Sequence, residues 1–232
     1  MTTKEEGSIF LVNKPVRWTS FDVVARMRRI LKMKKIGHAG TLDPLASGLL
    51  IICTGKMTKS IESFQGLGKE YTGKFTLGQT TASYDLETET SPAVDISNVT
   101  DEQILAVAKT FVGNIQQIPP IHSSIWVNGR RAYKFARQGQ EVVLQPREVE
   151  IKEFEITKIE KPEVSFRIVC SKGTYIRSLA NDLGSALGVG AHLSELTRTA
   201  VGEYKLKDAE TLEAIKARIV GPGSINQPQI IE

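Results

Sequence analysis

The fold of this chain is organised around residues 37–53, whose sequence is GHAGTLDPLASGLLIIC. Glycines at positions 37, 40 and 48 allow sharp turns and close approach of the backbone to other groups. Pro44 disfavours the helical conformation at Asp43, so we expect Asp43 on a turn. The apolar run at 49–53 has the length of a buried strand. The stretch therefore predicts a loop that carries His38 and Asp43 and is anchored in the core by a strand.

The roles predicted for His38 and Asp43 depend on whether each residue is considered alone or as part of the whole stretch. Taken singly, an Asp before Pro usually forms a turn or a helix cap, and a lone His is usually structural or solvated. Taken together, the fourteen residues 37–50 closely resemble the active-site motif of the TruB-type pseudouridine synthases, enzymes of the tRNA T-loop. The resemblance implies that Asp43 is the catalytic carboxylate and that His38 contacts RNA near the target nucleotide.

The composition is that of an ordinary globular protein. With 232 residues, of which 41% are apolar and 24% charged, the chain can form one large domain or two small ones. No apolar run approaches the roughly 20 residues that span a bilayer, and residues 1–7 lack a signal pattern. Cys53 and Cys170 form no CxxC pair, so they are predicted to be buried free thiols. We therefore expect a cytoplasmic protein with no membrane contact and no metal site.

Positive charge is concentrated in two blocks of the sequence. The net charge is only +4, but residues 23–38 contain six basic residues and no acid, and a second acid-free block lies at 130–137. Such blocks suit the phosphates of a nucleic acid, although charge alone is explained equally well by solvated helix faces. The residues that we predict to contact the RNA backbone are Lys14, Arg28, Arg29, Lys34, Lys35, Arg130, Arg131, Lys134 and Arg137.

Hydrophobic periodicity predicts an α+β fold. Strands are predicted at 8–12, 49–53, 71–77, 149–159 and 163–170. Helices are predicted after an N-cap at Ser20, after a Thr100 and Gln103 capping box, and at 131–138, 176–187 and 212–219. Residues 191–204 give no clear pattern, and 221–232 is predicted to be a tail. We expect a single domain with a mostly antiparallel mixed sheet flanked by helices.

The same family resemblance extends over most of the chain. Lys69-Glu70-Tyr71 resembles the family's second motif, whose Tyr stacks on the target base. Residues 170–179 resemble the third motif, which supplies an Arg to the catalytic Asp, and residues 190–193 and 196–198 match a segment that lines the pocket. The resemblance implies one catalytic pseudouridine-synthase-like domain over 1–232, with an RNA-gripping insertion at 119–147.

Two features depart from the family pattern. The residues after Tyr204 are too few for the C-terminal RNA-binding domain of the PUA type that members often carry, so we expect no PUA domain. In the insertion, His122 and Trp126 stand where the family usually has Tyr and Lys. We therefore expect some of its contacts with RNA to differ.

The reaction implied by the resemblance assigns three catalytic residues. Asp43 would attack ribose C1′ or stabilise a cationic sugar, as glycosidase carboxylates do, and attack on uracil C6 is the alternative. Arg177 would pair with Asp43 and keep it ionised. Tyr71 would stack on the flipped base, and its hydroxyl is a candidate for moving the C5 proton.

The remaining substrate-binding assignments rest on His38, Tyr175, Leu196 and Asp85. Tyr175 and Leu196 resemble residues of the pocket wall, with core packing as the alternative. Asp85 is assigned to polar edges of the RNA, with a turn role as the alternative. His38 is expected close to the space that the flipped base leaves.

Together these assignments predict an isomerase that converts uridine to pseudouridine at position 55 of the tRNA T-loop. Because the product is an isomer of the substrate, stoichiometry requires neither a cofactor nor a metal. We expect a monomer that binds the T-loop and T-stem of tRNA without a guide RNA. The alternatives are a guide-RNA-dependent synthase, a non-catalytic tRNA-folding chaperone and an Asp-dependent nucleoside hydrolase.

Overall fold

A computed structural model of the protein describes residues 6–127, 129–140 and 142–221. The described chain divides into two compact units, of which the first runs up to Tyr71 and resumes at Thr197, and the second is Thr72–Leu196. The strands are β1 Ile9–Lys14, β2 Ile36–His38, β3 Ser47–Thr54, β4 Lys69–Leu77, β5 Gly113–Gln117, β6 Trp126–Val127, β7 Arg130–Arg131, β8 Arg147–Glu160, β9 Glu163–Cys170, β10 Ala191–Val201 and β11 Tyr204–Lys205. The α-helices are α1 Ser20–Leu31, α2 Ile61–Gly66, α3 Asp101–Thr110, α4 Ala132–Ala136, α5 Ile176–Ala186 and α6 Leu212–Val220, with 3-10 helices at Gly55–Ser60 and Leu206–Asp208.

In the first unit, β3 is the central strand of the sheet. β1 and β2 pair with it in antiparallel orientation, and the end of β10 pairs with it in parallel orientation. The apolar run from Leu49 to Cys53 is fully buried on both faces of the strand, as its sequence predicts. Leu49 and Ile51 pack with Leu11 and Val201 in the core of this unit. The buried strand anchors the loop that precedes it.

In the second unit, which contains β4 from Thr72 onward, four strands follow one another in the order β4, β9, β8 and β5. β9 pairs with β8, and β8 with β5, in antiparallel orientation. The predicted alternation in β9 is confirmed, because Val164, Phe166, Ile168 and Cys170 are all buried. Phe166 stacks on Phe75 with a centroid distance of 4.2 Å. A separate hairpin of β6 and β7 precedes the short helix α4.

The predicted α+β class with a mostly antiparallel mixed sheet is confirmed, one local prediction is corrected, and one segment without a prediction forms a strand. The N-cap of α1 is Thr19 and not Ser20, because Thr19 and Asp22 form the reciprocal capping box. Residues 191–201 form the long strand β10, whose buried polar residues His192 and Arg198 interrupt the apolar alternation. The capping box of Thr100 and Gln103 is present as predicted.

Other predictions concern the chain ends, membranes and the cysteines. Apart from Gly221, the predicted tail at 221–232 lies outside the described residues. None of the helices in the described part of the chain is long and apolar enough to cross a bilayer. Cys53 and Cys170 are buried free thiols, as predicted.

Candidate active site

Asp43 lies on a turn between β2 and β3, in the first unit. The Ala46 N–H donates to the Asp43 carbonyl at 3.1 Å, which closes the turn. Leu42 before it is buried, Asp43 itself is half-buried, and Pro44 after it is exposed. Asp43 therefore lies where the backbone passes from a buried residue to the surface.

Ser20 holds the loop on the N-terminal side of Asp43. Its hydroxyl accepts a hydrogen bond from the Leu42 N–H at 2.9 Å and donates to the Leu42 carbonyl at 3.2 Å. Ser20 is almost completely buried in the first turn of α1. Both polar backbone groups of Leu42 are thus satisfied by one side chain, which fixes the residue directly before Asp43.

Arg198 holds the preceding part of the loop. Its guanidinium is 1% exposed and donates to the carbonyls of Leu49 at 2.8 Å, Gly40 at 3.3 Å and Thr41 at 3.4 Å. The close approach of β10 requires Gly48, because a Cβ there would lie 2.4 Å from the Arg198 carbonyl oxygen. Gly48 also has a φ of 104°, which an L side chain rarely adopts.

Lys14 holds the loop on the C-terminal side of Asp43. It is completely buried, and its ammonium donates to the carbonyls of Trp18 at 2.6 Å, Pro15 at 3.0 Å and Pro44 at 3.5 Å. Burial lowers the pKa of Lys14 to about 8, although the Asp43 carboxylate acts to raise it. The structure gives Lys14 this internal position in place of the surface position that a phosphate contact would need.

His38 and Tyr71 are the other two predicted site residues of the first unit. His38 is half-buried at the end of β2, and burial lowers the pKa of its imidazole, so that it is neutral at pH 7. Tyr71 is 9% exposed in β4. The preceding residue is tied down as well, because the Thr199 hydroxyl donates to the Glu70 carboxylate at 2.7 Å.

Arg177 is the centre of a buried polar cluster in the second unit. It lies in the first turn of α5, is 3% exposed, and donates to the carbonyls of His122 at 3.0 Å and Ser83 at 3.1 Å. Its Nε lies 3.6 Å from Oδ2 of the equally buried Asp85. The surface position usual for an Arg is therefore ruled out at Arg177, and three groups fix the plane of its guanidinium.

Asp85 takes part in a turn of the second unit. Its Oδ1 accepts a hydrogen bond from the Glu87 N–H at 2.9 Å, while Oδ2 faces Arg177. The hydroxyls of Thr81 and Ser83 donate to the Asp85 carbonyl at 2.7 and 3.0 Å. Tyr84 has a φ of 63° within this turn, which is uncommon for a residue with a side chain. The turn thus fixes the carboxylate that faces Arg177.

Tyr175 is the N-cap of α5 and is fixed by two residues that the sequence analysis missed. Its N–H donates to Gln117 Oε1 at 2.8 Å, and Gln117 Nε2 donates back to the Tyr175 carbonyl at 3.1 Å. The Arg147 guanidinium lies 4.6 Å from the Tyr175 ring centroid and also donates to the Gly173 carbonyl. No local pattern marks Gln117 or Arg147, because both act on residues distant in sequence. Leu196 is half-buried at the end of this unit.

The predicted phosphate-binding residues differ in exposure. Arg28 is half-buried and donates to the Ile36 carbonyl at 3.2 Å, and Arg131 is also half-buried. The exposed members are Arg29, Lys34, Lys35, Arg130, Lys134 and Arg137. No group of three or more His, Cys, Asp or Glu residues in the described ranges is arranged to hold a metal ion.

Comparison with known families decides where the chain belongs. The sequence matches the family "TruB family pseudouridylate synthase (N terminal domain)" over residues 28–176. It also matches the "tRNA pseudouridylate synthase B C-terminal domain" over residues 177–221. The chain belongs to the TruB family of pseudouridylate synthases. It is therefore a pseudouridine synthase, an isomerase, as the sequence resemblance predicts.

Individual members of the TruB family are similar over most of their length. The chain is 50% identical over 218 residues to the tRNA pseudouridine synthase B of Flavobacterium johnsoniae, which covers 90% of this chain and 95% of that protein. It is 53% identical over 209 residues to the tRNA pseudouridine synthase B of Bacteroides fragilis, which covers 88% and 90%.

Solved structures with this fold are longer than this chain. One chain of a Cbf5-Nop10-Gar1 complex has a TM-score of 0.73 and 33% identity, over 93% of this chain and 55% of that one. A chain of the archaeal box H/ACA sRNP Nop10-Cbf5 complex has a TM-score of 0.69 and 31% identity, over 93% and 54%. This TruB-family chain therefore spans about half the length of those solved chains.

The structure groups the predicted residues within each unit. In the first unit, Asp43 shares its loop environment with Lys14 and Arg198, and His38 lies at the start of the same loop. In the second unit, Arg177 is grouped with Asp85 and lies next to Tyr175. The predicted pairing of Asp43 with Arg177 joins residues of both units and stays a prediction.

Proposed function

We propose that this protein converts uridine to pseudouridine at position 55 in the T-loop of tRNA, with Asp43 as the catalytic carboxylate. The observation that carries the proposal is the fixation of the Asp43 loop by Ser20, Arg198 and Lys14 in a chain of the TruB family. A carboxylate that acts on a sugar must be held in one orientation, and these side chains supply that fixation through the backbone on both sides of Asp43.

The choice of tRNA as substrate is supported by the different degrees of similarity of the chain to two groups of relatives. The relatives named tRNA pseudouridine synthase B are 50% and 53% identical and match over nine-tenths or more of their own length. The chains from Cbf5 complexes are 31% and 33% identical and extend over about twice the matched length. We therefore assign a free tRNA, without a guide RNA, as the substrate.

The chemistry proposed for Asp43 breaks the bond from ribose C1′ to uracil N1 and forms a bond from C1′ to C5. The carboxylate attacks C1′, or stabilises a cationic sugar, while the base turns; attack on uracil C6 is the alternative route. The C5 proton is then removed and N1 gains a proton, so that the product is an isomer. The Asp43 carboxylate favours the charged form of the buried Lys14 ammonium, so an opposite charge lies close to the proposed catalytic group.

The roles proposed for the other site residues follow from their surroundings. Arg177, whose plane is fixed by two carbonyls and Asp85, is assigned to orient the Asp43 carboxylate. Tyr71 is assigned to stack on the flipped uracil, with its hydroxyl as the candidate for proton transfer at C5. Tyr175 and Leu196 are assigned to the walls of the binding site. Asp85 is assigned to a polar contact with the RNA, and His38 to a position close to the space that the flipped base leaves.

Two substitutions separate these roles. We expect Arg177→Lys to lower kcat strongly, because an ammonium cannot reproduce a planar fork held by three groups. Near-normal kinetics of the Arg177→Lys variant would argue against the orienting role.

The Tyr71→Phe variant tests the role of the hydroxyl through RNA binding and product formation. RNA binding without product supports proton transfer by the hydroxyl, whereas full activity leaves stacking as the only role of Tyr71.

The proposed function is tested by incubating the protein with an unmodified tRNA transcript and mapping pseudouridine along it. We expect a single new pseudouridine, at position 55. Product at a site outside the T-loop would contradict the substrate assignment. Release of free uracil would identify a nucleoside hydrolase, and improved tRNA folding without any product would identify a chaperone.

A further inference from the structure

Trp126 is an exposed aromatic residue that the proposed reaction does not use. It lies in β6, and 61% of its surface is exposed. The other tryptophan, Trp18, is half-buried and therefore less exposed than Trp126. A large exposed aromatic surface on a two-stranded hairpin indicates a binding role, because it contributes little to a core.

One face of Trp126 is covered by a guanidinium. Arg131 is its cross-strand partner in β7, and the Arg131 guanidinium lies 4.3 Å from the Trp126 ring. Arg131 also donates to the Ser124 carbonyl, which holds the guanidinium over the ring. The hairpin is continued by a hydrogen bond from the Ala132 N–H to the Ile125 carbonyl at 2.8 Å. The indole is therefore held in place by its neighbours before any ligand is bound.

The charges around Trp126 indicate an anionic partner. The sequence contains no Asp or Glu from residue 103 to residue 140. Arg130 in the hairpin and Lys134 in α4 are exposed, and a second aromatic–cation pair follows, with Arg137 5.2 Å from the Tyr133 ring. A flat aromatic face among exposed cations suits a nucleobase whose phosphates lie nearby.

We propose that Trp126 is a stacking platform for an unpaired base of the substrate RNA, a base other than the uridine that is isomerised. This inference rests on the proposed function, since it takes RNA as the ligand. Arg131 supports the indole, and Arg130 and Lys134 contact phosphates on either side of the stacked base. A protein partner is the other class of ligand that an exposed tryptophan can bind. Glu87 lies 3.9 Å from Arg137, but the absence of Asp and Glu from residues 103–140 favours RNA over a protein partner.

The test measures the Kd of the unmodified tRNA transcript for the wild type, Trp126→Ala and Trp126→Phe, with Val94→Ala as the control. Val94 is 53% exposed and lies outside the insertion. We expect Trp126→Ala to raise Kd by about 10-fold or more, in the range measured when a stacking aromatic is removed. Trp126→Phe retains most of the affinity, and Val94→Ala binds as the wild type.

Two further readouts separate stacking from charge and from folding. The slope of log Kd against log salt concentration stays unchanged in Trp126→Ala, whereas Arg130→Gln lowers it by about 0.7 to 0.9, because only the Arg releases counterions. Tryptophan emission of the wild type is quenched by the transcript, and this quenching is lost in Trp126→Phe. The melting temperature is the same in all variants, because Trp126 is exposed.

The outcome for this inference is distinguishable from the outcome for the proposed function. Pseudouridine formation is measured on the same transcript, and we expect Trp126→Ala to raise KM with kcat unchanged. If the wild type forms pseudouridine and Trp126→Ala binds the transcript with wild-type Kd, the stacking role is wrong and the proposed function stands. If the transcript binds with the expected differences but gains no pseudouridine, the proposed function is wrong and the stacking role stands.

Discussion

The Asp43 loop and the hairpin of β6 and β7 use basic residues in opposite ways. At the Asp43 loop, Lys14 and Arg198 are almost completely buried and donate to backbone carbonyls of the loop. In and after the hairpin, Arg130 and Lys134 are exposed. Buried cations fix a backbone, whereas exposed cations remain available to the phosphates of a ligand.

Positive charge in the sequence therefore does not by itself mark an RNA contact. Lys14 is among the residues predicted to contact phosphate, and the structure buries it beside the loop instead. The sequence places Arg198 only in a segment that resembles the family's pocket lining. In the structure, its guanidinium donates to the carbonyls of Gly40, Thr41 and Leu49. We therefore expect the two regions to respond differently to the same kind of substitution.

Among the substitutions that compare the two regions, the largest effect is expected for Arg198→Lys, with Arg130→Lys as the matched control. Lys keeps the charge but cannot reach the three carbonyls that the guanidinium binds. We expect kcat to fall by about 100-fold, as small displacements of catalytic groups can do. The unfolding free energy should fall by about 2 to 3 kcal/mol, since buried groups that lose a hydrogen bond are costly.

Arg130→Lys should leave both quantities unchanged, because Arg130 is exposed and keeps its charge. Steady-state kinetics and chemical denaturation of both variants check the pair. Equal effects of the two substitutions would contradict the distinction between the regions.

An intermediate effect is expected for Ser20→Ala, compared with Thr19→Ala. Removal of the Ser20 hydroxyl leaves the buried backbone groups of Leu42 without this partner, which destabilises by about 1 to 3 kcal/mol. We expect a fall in kcat of about 10-fold, because Leu42 precedes Asp43.

Thr19→Ala removes the N-cap of α1 and destabilises by about 1 kcal/mol. We expect its kcat to be unchanged. The Thr19 hydroxyl accepts a hydrogen bond from Asp22 in α1, whereas the Ser20 hydroxyl binds Leu42 in the loop. Denaturation and turnover are measured together. Parallel losses of kcat in both variants would mean that stability, and not loop position, sets the activity.

The smallest effect is the pH dependence contributed by Lys14. Because its folded pKa of about 8 lies below the unfolded value of 10.5, the unfolded state binds more protons between these values. The contribution of Lys14 to stability therefore rises with pH across this window, and its burial is most unfavourable below it. Burial raises the pKa of the Cys53 thiol to about 11, which acts in the opposite direction.

The comparison of wild type with Lys14→Met cancels the contribution of Cys53. We expect the unfolding free energy of the wild type, relative to this variant, to rise by about 1 to 3 kcal/mol between about pH 7.5 and about pH 10. Denaturation at several pH values checks it. A difference that is constant with pH would show that Lys14 keeps an ordinary pKa.

Local patterns predict much of this fold, and non-local contacts account for the rest. The buried run at 49–53 and the alternation of β9 need only their own residues, so both were predicted correctly. β10 was not recognised, because its buried His192 and Arg198 have partners far away in the sequence. The cap of α1 was misplaced by one residue, since Thr19 and Ser20 are both good capping residues and only the capping box with Asp22 separates them.

The candidate site was predictable only where a motif names a residue. Asp43, Tyr71 and Arg177 were assigned through motifs, and their roles remain proposals. The side chains that hold Asp43 and Tyr175 could not be predicted in those roles. Ser20 binds Leu42 over 22 positions and Gln117 binds Tyr175 over 58, and no spacing rule connects such pairs.

The whole proposal depends on the Asp43 carboxylate, which we expect to be essential for bond cleavage and dispensable for RNA binding. The direct measurement is pseudouridine formation and RNA affinity of Asp43→Asn on an unmodified tRNA transcript. This substitution keeps the shape of the side chain, removes its negative charge and replaces one accepting oxygen with an NH2 group. We expect no detectable pseudouridine at position 55 and a Kd close to that of the wild type. An Asn variant that still forms pseudouridine at position 55 would contradict it.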